Sequence, residues 1–194
     1  MKVNIRKIDG PWDIGYYLDK HTIKSIYLGV DENGYPRYDT TRTEVGEALY
    51  QLKYKSDRNQ ASILATQLAD SLGNYFRSAS FIVPMPSSKQ RGIQPVIEIA
   101  RLVADKMHIL CREDVLVKIT QTAQMKDIPS KEDRVKALCS AFTVKDTLSE
   151  GRYDVLIIDD VYETGSSLDA ATILLRRCDK IQKIYVATVT RTKS

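Results

Sequence analysis

Seven residues within a nine-residue stretch carry the chemistry of this chain: Asp159, Asp160, Glu163, Thr164, Gly165, Ser166 and Ser167. The two adjacent carboxylates are acceptors suited to sugar hydroxyls or to a bound cation. Thr164-Gly165-Ser166-Ser167 offers three hydroxyls around a glycine, which tolerates the backbone angles of a tight turn. If a helix starts there, its backbone N–H groups and dipole favour an anion such as phosphate. The order predicts a cradle for a sugar phosphate, with carboxylates on the sugar and the loop on the phosphate.

Such a cradle needs a strand in front and a helix behind. Val155, Leu156, Ile157 and Ile158 form an unbroken, β-branched-rich apolar run, the pattern of a strand buried on both faces. A helical pattern follows over 167–177. In open α/β sheets, ligands bind beyond the carboxyl ends of the strands, and there Asp159 and Asp160 fall. Other strands of this kind explain the order less well. Receiver domains place a comparable Asp-Asp near their start, with most of the domain following. A Walker B strand calls for a G-x-x-x-x-G-K-[ST] loop, which the sequence lacks. A structural turn with Ser166 and Asp169 as a capping box accounts for the serines but leaves the carboxylate pair unexplained.

The run resembles the phosphoribosyl pyrophosphate (PRPP) motif of the type I phosphoribosyltransferases: apolar strand, acidic pair, then a loop ending Thr-Gly-Ser/Thr-Ser/Thr. The resemblance implies that Asp159 and Asp160 hold the ribose hydroxyls. It implies that Thr164, Gly165, Ser166 and Ser167 hold the 5′-phosphate, with Mg²⁺ bridging substrate oxygens.

Upstream, residues 80–83 read as a short strand followed by a loop with two prolines, then Ser87, Ser88, Lys89 and Arg91, and a helix through Val96, Ile99 and Val103. A rigid backbone with a fork-shaped cation suits pyrophosphate, the ligand that the family places at this loop. Asp114 to Lys118 predicts a second strand. The polar stretch 119–136 reads as a long loop entering a helix, of the kind that often closes over a site. Lys126 and Arg134 are its candidate phosphate contacts. Residues 141–146 and 184–189 predict further strands.

Earlier in the chain, Thr22–Val30 and residues 35–38 predict a hairpin about the turn Asp31-Glu32-Asn33-Gly34. Trp12, Tyr16, Tyr17 and Tyr27 supply apolar surface, either for an edge hairpin that closes the core or for a hood over the site. Thr43 opens a helical pattern through Val45, Leu49 and Leu52, and Asp57 opens a second one ending near Gly73. Lys53 and Lys55, interleaved with Tyr50 and Tyr54, read as a solvated face with snorkelling lysines.

The alternation predicts an α/β fold: a Rossmann-like, mainly parallel sheet flanked by helices, with a small N-terminal hairpin and helix hood. Residues 1–78 form the hood and packing segment and residues 79–194 the core, together one compact unit.

The order of further pieces is similar to the ComF family of phosphoribosyltransferase-like proteins, which is linked to DNA uptake. These pieces are Leu52-Lys53-Tyr54, then Val83-Pro84-Met85-Pro86 with Arg91-Gly92-Ile93-Gln94, then Thr122-Ala123-Gln124 with Arg134 and Ala141-Phe142. The likeness spans about residues 45–190. Two features depart from that pattern. The cysteine-rich zinc segment with which ComF proteins often begin is replaced by the aromatic hairpin region, which weighs against DNA handling. Glu163 stands where Thr is usual. In hypoxanthine-guanine phosphoribosyltransferases, an acidic residue just before Thr-Gly is the general acid/base.

The implied activity is transfer of a phosphoribosyl group from PRPP to a nitrogen acceptor, such as a nucleobase, with release of pyrophosphate. Glu163 and Asp160 are the candidate catalytic residues. The alternatives are a non-catalytic PRPP- or nucleotide-binding regulator and a competence accessory protein. Composition narrows the partners. With 43% hydrophobic residues and a net charge of +4, the chain suits a sizeable core and a small anionic ligand rather than direct nucleic-acid binding. Cys111, Cys139 and Cys178 are widely spaced, which gives no zinc pattern and fits a reducing, cytoplasmic setting. No apolar run reaches membrane length, and residues 1–4 lead into mixed polar sequence without a targeting pattern. The family resemblance also implies a homodimer.

Overall fold

A computed structural model of the chain describes residues 1–87, 94–120 and 127–192. In chain order it runs β1 (Arg6–Lys7), β2 (Ile14–Lys20), β3 (Thr22–Val30), β4 (Pro36–Arg42), α1 (Glu44–Tyr54), α2 (Asn59–Leu72) and a 3₁₀ turn at Gly73–Phe76. Then follow β5 (Phe81–Pro84), α3 (Pro95–Met107), β6 (Leu110–Cys111), β7 (Leu116–Lys118) and α4 (Lys131–Ala141). β8 (Phe142–Val144), β9 (Tyr153–Tyr162), α5 (Ser166–Leu175) and β10 (Ile181–Arg191) complete it. The central sheet has the order β1-β2-β10-β9-β5-β6, parallel except for the β1 edge. The fold is therefore α/β, a mainly parallel sheet flanked by helices.

The apolar run in β9 shows why the sheet must be covered twice. Val155 and Ile157 join one core cluster, with Leu168, Ala171 and Leu175 of α5. Leu156 and Ile158 join the other, with Leu49 and Leu52 of α1, Leu64 and Leu68 of α2, and Ile99 of α3. Alternate side chains of a strand point to opposite faces, so a run without polar breaks is the record of helices on both sides. Among the described residues, no helix is long and apolar enough to cross a membrane. The three cysteines are free and partly buried.

Two elements differ from the sequence expectation. β2 is an inner strand of the central sheet, yet its composition hides it. Tyr16 and Tyr17 blur the alternation, and Gly15 stands mid-strand because a Cβ there would lie 2.3 Å from Trp12 Nε1. The expected strand at 114–118 is β7, which lies outside the central sheet and pairs antiparallel with β8. The neighbour of β5 is the two-residue β6, too short to leave a pattern.

The predicted hairpin forms as β3 and β4, a separate two-stranded ribbon. Asp31 Oδ1 accepts from the N–H groups of Asn33 and Tyr35, and Gly34 takes φ +81°, so the turn residues act as expected. The ribbon does not close the core: Ile23, Tyr27, Leu28, Tyr35 and Tyr38 are exposed. It springs from the end of β2, on the sheet edge where the parallel strands finish.

α1 is fixed at its start. Thr43 Oγ1 accepts from Gly46 N at 2.9 Å and donates to the carbonyl of Lys20 at 2.6 Å. Gly46 lies against the corner between β2 and β3, where a Cβ would sit 2.0 Å from the His21 carbonyl oxygen. Backbone cannot yield as a flexible side chain does. Gly46→Ala is therefore expected to lose about 1–3 kcal/mol, the usual cost of overpacking. Thermal melts would show a Tm drop of several degrees; an unchanged Tm would contradict this docking.

Candidate functional site

The chain leaves β5 through α3 to β6 on one side, and leaves β9 through α5 to β10 on the other. The loops after β5 and β9 therefore diverge and open a crevice at the carboxyl ends of two adjacent strands. In open sheets such a switch point is where ligands bind. Every residue of the predicted cradle lies at this crevice.

Asp159 and Asp160 close the buried part of β9. Asp160 N donates to Asp159 Oδ1 at 2.8 Å, which folds the first carboxylate back over the second residue. Asp160 Oδ2 lies 2.7 Å from Lys53 Nζ, and both side chains are largely covered, 15% and 18% exposed. Burial raises the pKa of Asp159 well above the ordinary carboxylate range, and the neighbouring Asp160 charge adds to the rise. The Asp160 N–H and Lys53 oppose it only in part. Nearby, His21 Nδ1 lies 3.2 Å from Thr190 Oγ1, which itself donates to the Asp160 carbonyl at 3.3 Å. Burial lowers the His21 pKa, and Arg42 and Lys53 lower it further.

The loop after β9 turns through Gly165 at φ +80°, a left-handed angle that favours glycine. A Cβ there would also lie 2.8 Å from the Tyr162 hydroxyl. Tyr162 is held edge-on to Trp12, with ring centroids 6.4 Å apart. Thr164 Oγ1 and Ser166 Oγ are 3.0 Å apart. α5 begins directly behind with no side-chain cap on its N-terminus. The capping box considered for Ser166 and Asp169 is not formed. Asp169 instead pairs through Oδ2 with Lys131 of α4 at 2.7 Å. Gly165 at the N-cap offers no side-chain acceptor, and Ser166 N reaches Thr164 Oγ1 only at 3.5 Å, so the first turn of α5 is left to suit a bound anion.

Two adjoining cavities flank this strand end. One, of about 270 Å³, is lined by Lys53, Ser87, Gln94, Asp159, Asp160, Glu163 and Ser167 among others. The other, of about 390 Å³, is lined by Arg134, Asp159, Glu163 and the whole loop from Thr164 to Ser167. Asp159, Glu163 and Ser167 belong to both. The structure therefore brings Asp159, Asp160, Glu163, Thr164, Gly165, Ser166, Ser167, Ser87 and Arg134 together. Arg134 also donates through Nε to the Ile128 carbonyl at 2.7 Å. Ser88, Lys89, Arg91 and Lys126 lie outside the described residues.

Lys53 is the site residue that the sequence reading assigned elsewhere. It is not on a solvated face: it reaches under the strand end to Asp160. Its signal was its place beside Leu52 and four residues after Leu49, both of which are buried. A lysine next to a helix's core stripe has its stem drawn inward.

No family model matches the chain, and no curated protein matches it. Solved structures similar to it include the adenine phosphoribosyltransferase of Leishmania tarentolae, at 10% identity and a TM-score of 0.49, covering 98% of this chain and 95% of that one. Another is the adenine phosphoribosyltransferase of Saccharomyces cerevisiae, at 14% identity and a TM-score of 0.49, covering 86% and 84%. A third is the UMP synthase of Leishmania donovani, at 16% identity and a TM-score of 0.41. The match covers 81% of this chain and 26% of that one, so the chain spans about a quarter of the synthase's length.

Proposed function

We propose that this chain binds PRPP at the crevice after β5 and β9 and transfers the phosphoribosyl group to a nitrogen acceptor. The supporting observation is the pairing, on one strand end, of the Asp159–Asp160 carboxylates with the glycine-led, uncapped start of α5. A sugar needs the first and its phosphate needs the second, and the two share walls. The order of motifs seen in the ComF family is part of this reading.

Asp159 and Asp160 accept hydrogen bonds from the ribose hydroxyls. The backbone and hydroxyls of Thr164, Gly165, Ser166 and Ser167 hold the 5′-phosphate, with Arg134 on the wall of the same cavity. The pyrophosphate extends along the first cavity toward Ser87; Ser88, Lys89 and Arg91, outside the described residues, are its further proposed contacts. A bond forms between the acceptor nitrogen and C1 of the ribose as the bond from C1 to the pyrophosphate oxygen breaks. The acceptor's proton passes to Glu163. The chain's contribution is mostly position and charge complementarity.

Mg²⁺ fits this site as a substrate-borne ion. Among the described residues, no cluster of three or more His, Cys, Asp or Glu could cage a metal. Mg²⁺ usually keeps several waters and binds through substrate phosphates and one or two carboxylates. When bound, it would offset charge on the pyrophosphate.

Titration calorimetry of PRPP, with and without Mg²⁺, tests the reading. Wild type should bind, and Asp159→Asn/Asp160→Asn should lose binding while keeping its fold. Equal affinity in both proteins would overturn the site. A pyrophosphate-release screen over purines, pyrimidines and amines then separates transfer from binding without turnover.

A further inference from the structure

α1 carries a cation to a place where a strand end offers two acids. Leu49 and Leu52 beside Lys53 are fully buried, and the lysine side chain itself is only 18% exposed. Its ammonium lies 2.7 Å from Asp160 Oδ2, and both residues wall the same cavity as Asp159 and Ser87. The lysine therefore sits within the ligand space and is not a tether on the far side of the sheet.

Adjacent carboxylates that must receive an anionic ligand pose an electrostatic problem. Each disfavours ionisation of the other, and together they repel phosphate. Charge on a half-buried acid is kept only when it is paired and hydrogen-bonded. Lys53 supplies that pairing before any ligand arrives. We infer that Lys53 is the resident counter-cation of the sugar subsite. It holds the Asp160 carboxylate in place as a hydroxyl acceptor, offsets its charge, and lets the chain hold a ribose 5-phosphate unit without a divalent cation. Any metal requirement then belongs to the diphosphate half of the substrate. Lys53 is a positioning residue that acts through Asp160. This rests on the sugar-phosphate reading of the crevice given above.

Titration of ribose 5-phosphate into the full chain, in EDTA and in Mg²⁺, tests it. Wild type should bind with the same affinity in both. Lys53→Gln should bind about 10–100-fold more weakly in EDTA, the size of a contact to an ionised group, and Mg²⁺ should restore part of the loss. Lys53→Arg should stay near wild type. In an Asp160→Asn background the further change Lys53→Gln should have little effect, whereas a merely structural lysine would cost the same in either background. No binding by wild type in either buffer would overturn the sugar-phosphate reading itself. Wild-type binding that requires Mg²⁺, or Lys53→Gln binding as wild type does, would overturn the role of Lys53 alone. The wild-type arm needs no variant, so a misfolded Lys53→Gln leaves the inference testable.

Discussion

Glu163→Gln is expected to lower phosphoribosyl transfer by about 10²–10⁴-fold, the range for loss of a general base, with PRPP affinity little changed. Glu163 follows Tyr162, the last residue of β9, and lines both cavities. It therefore stands where the cavity of the carboxylate pair adjoins that of the Thr164–Ser167 loop. On the proposed reading, a nitrogen acceptor approaching C1 of the ribose meets this carboxylate as its proton acceptor. Glutamine keeps the size and the hydrogen bonds but cannot take the proton. The loss should appear in kcat, because the group is needed at the transition state more than in the ground state. The measurement is initial-rate pyrophosphate release with the acceptor that the screen selects. Full turnover in the variant would leave Glu163 as a solvated loop carboxylate and assign the proton to water.

The parts of this arrangement that were legible in the sequence are those written in short-range chemistry. The apolar run of β9, the acidic pair and the Thr-Gly-Ser-Ser loop lie within one strand-turn-helix unit. Their mutual placement follows from the chain itself. Thr43 as the N-cap of α1 and the Asp31–Gly34 turn were legible for the same reason. What stayed hidden depends on contacts far apart in the chain. β2 is a sheet strand because β10 pairs with it across about 170 residues, as in Tyr185 with Ile14. The exposure of the β3–β4 ribbon cannot be read from its aromatics, which suit a buried hairpin equally well. Lys53 lies over 100 residues from its partner Asp160. Its neighbours Tyr50, Tyr54 and Lys55 describe a surface helix, and only the docking of α1, through the tight approach of Gly46 to His21, turns that side chain into the crevice.

Asp159→Asn should stabilise the fold at neutral and alkaline pH while weakening ligand binding, so that function and stability move in opposite directions. Burial and the Asp160 charge hold the proton on Asp159 well above the ordinary carboxylate range. In the unfolded chain the same group loses its proton near pH 3.9. Above about pH 4 the folded state therefore binds more protons than the unfolded state. Stability falls as pH rises wherever that is so. This is the reverse of the usual salt-bridged aspartate, whose contribution is lost as pH falls. The fall continues through neutral pH until the folded group also ionises. Each pH unit in that window costs about 1.4 kcal/mol at most, or about 3–6 °C in Tm for a chain of this size. Asparagine resembles the protonated acid and has no such dependence. The two proteins should melt together near pH 4, and the variant should gain over wild type as pH increases. Thermal melts at several pH values, paired with titrations of PRPP, give both readouts. A constant difference in Tm across pH would mean that Asp159 titrates normally in the fold. Parallel loss of stability and binding would mean that the carboxylate serves the structure, and the strand end would then be a packing feature. A gain in stability at high pH with loss of binding is what a strained, ligand-directed carboxylate requires, because the ligand hydroxyls, absent during folding, are what compensate its charge.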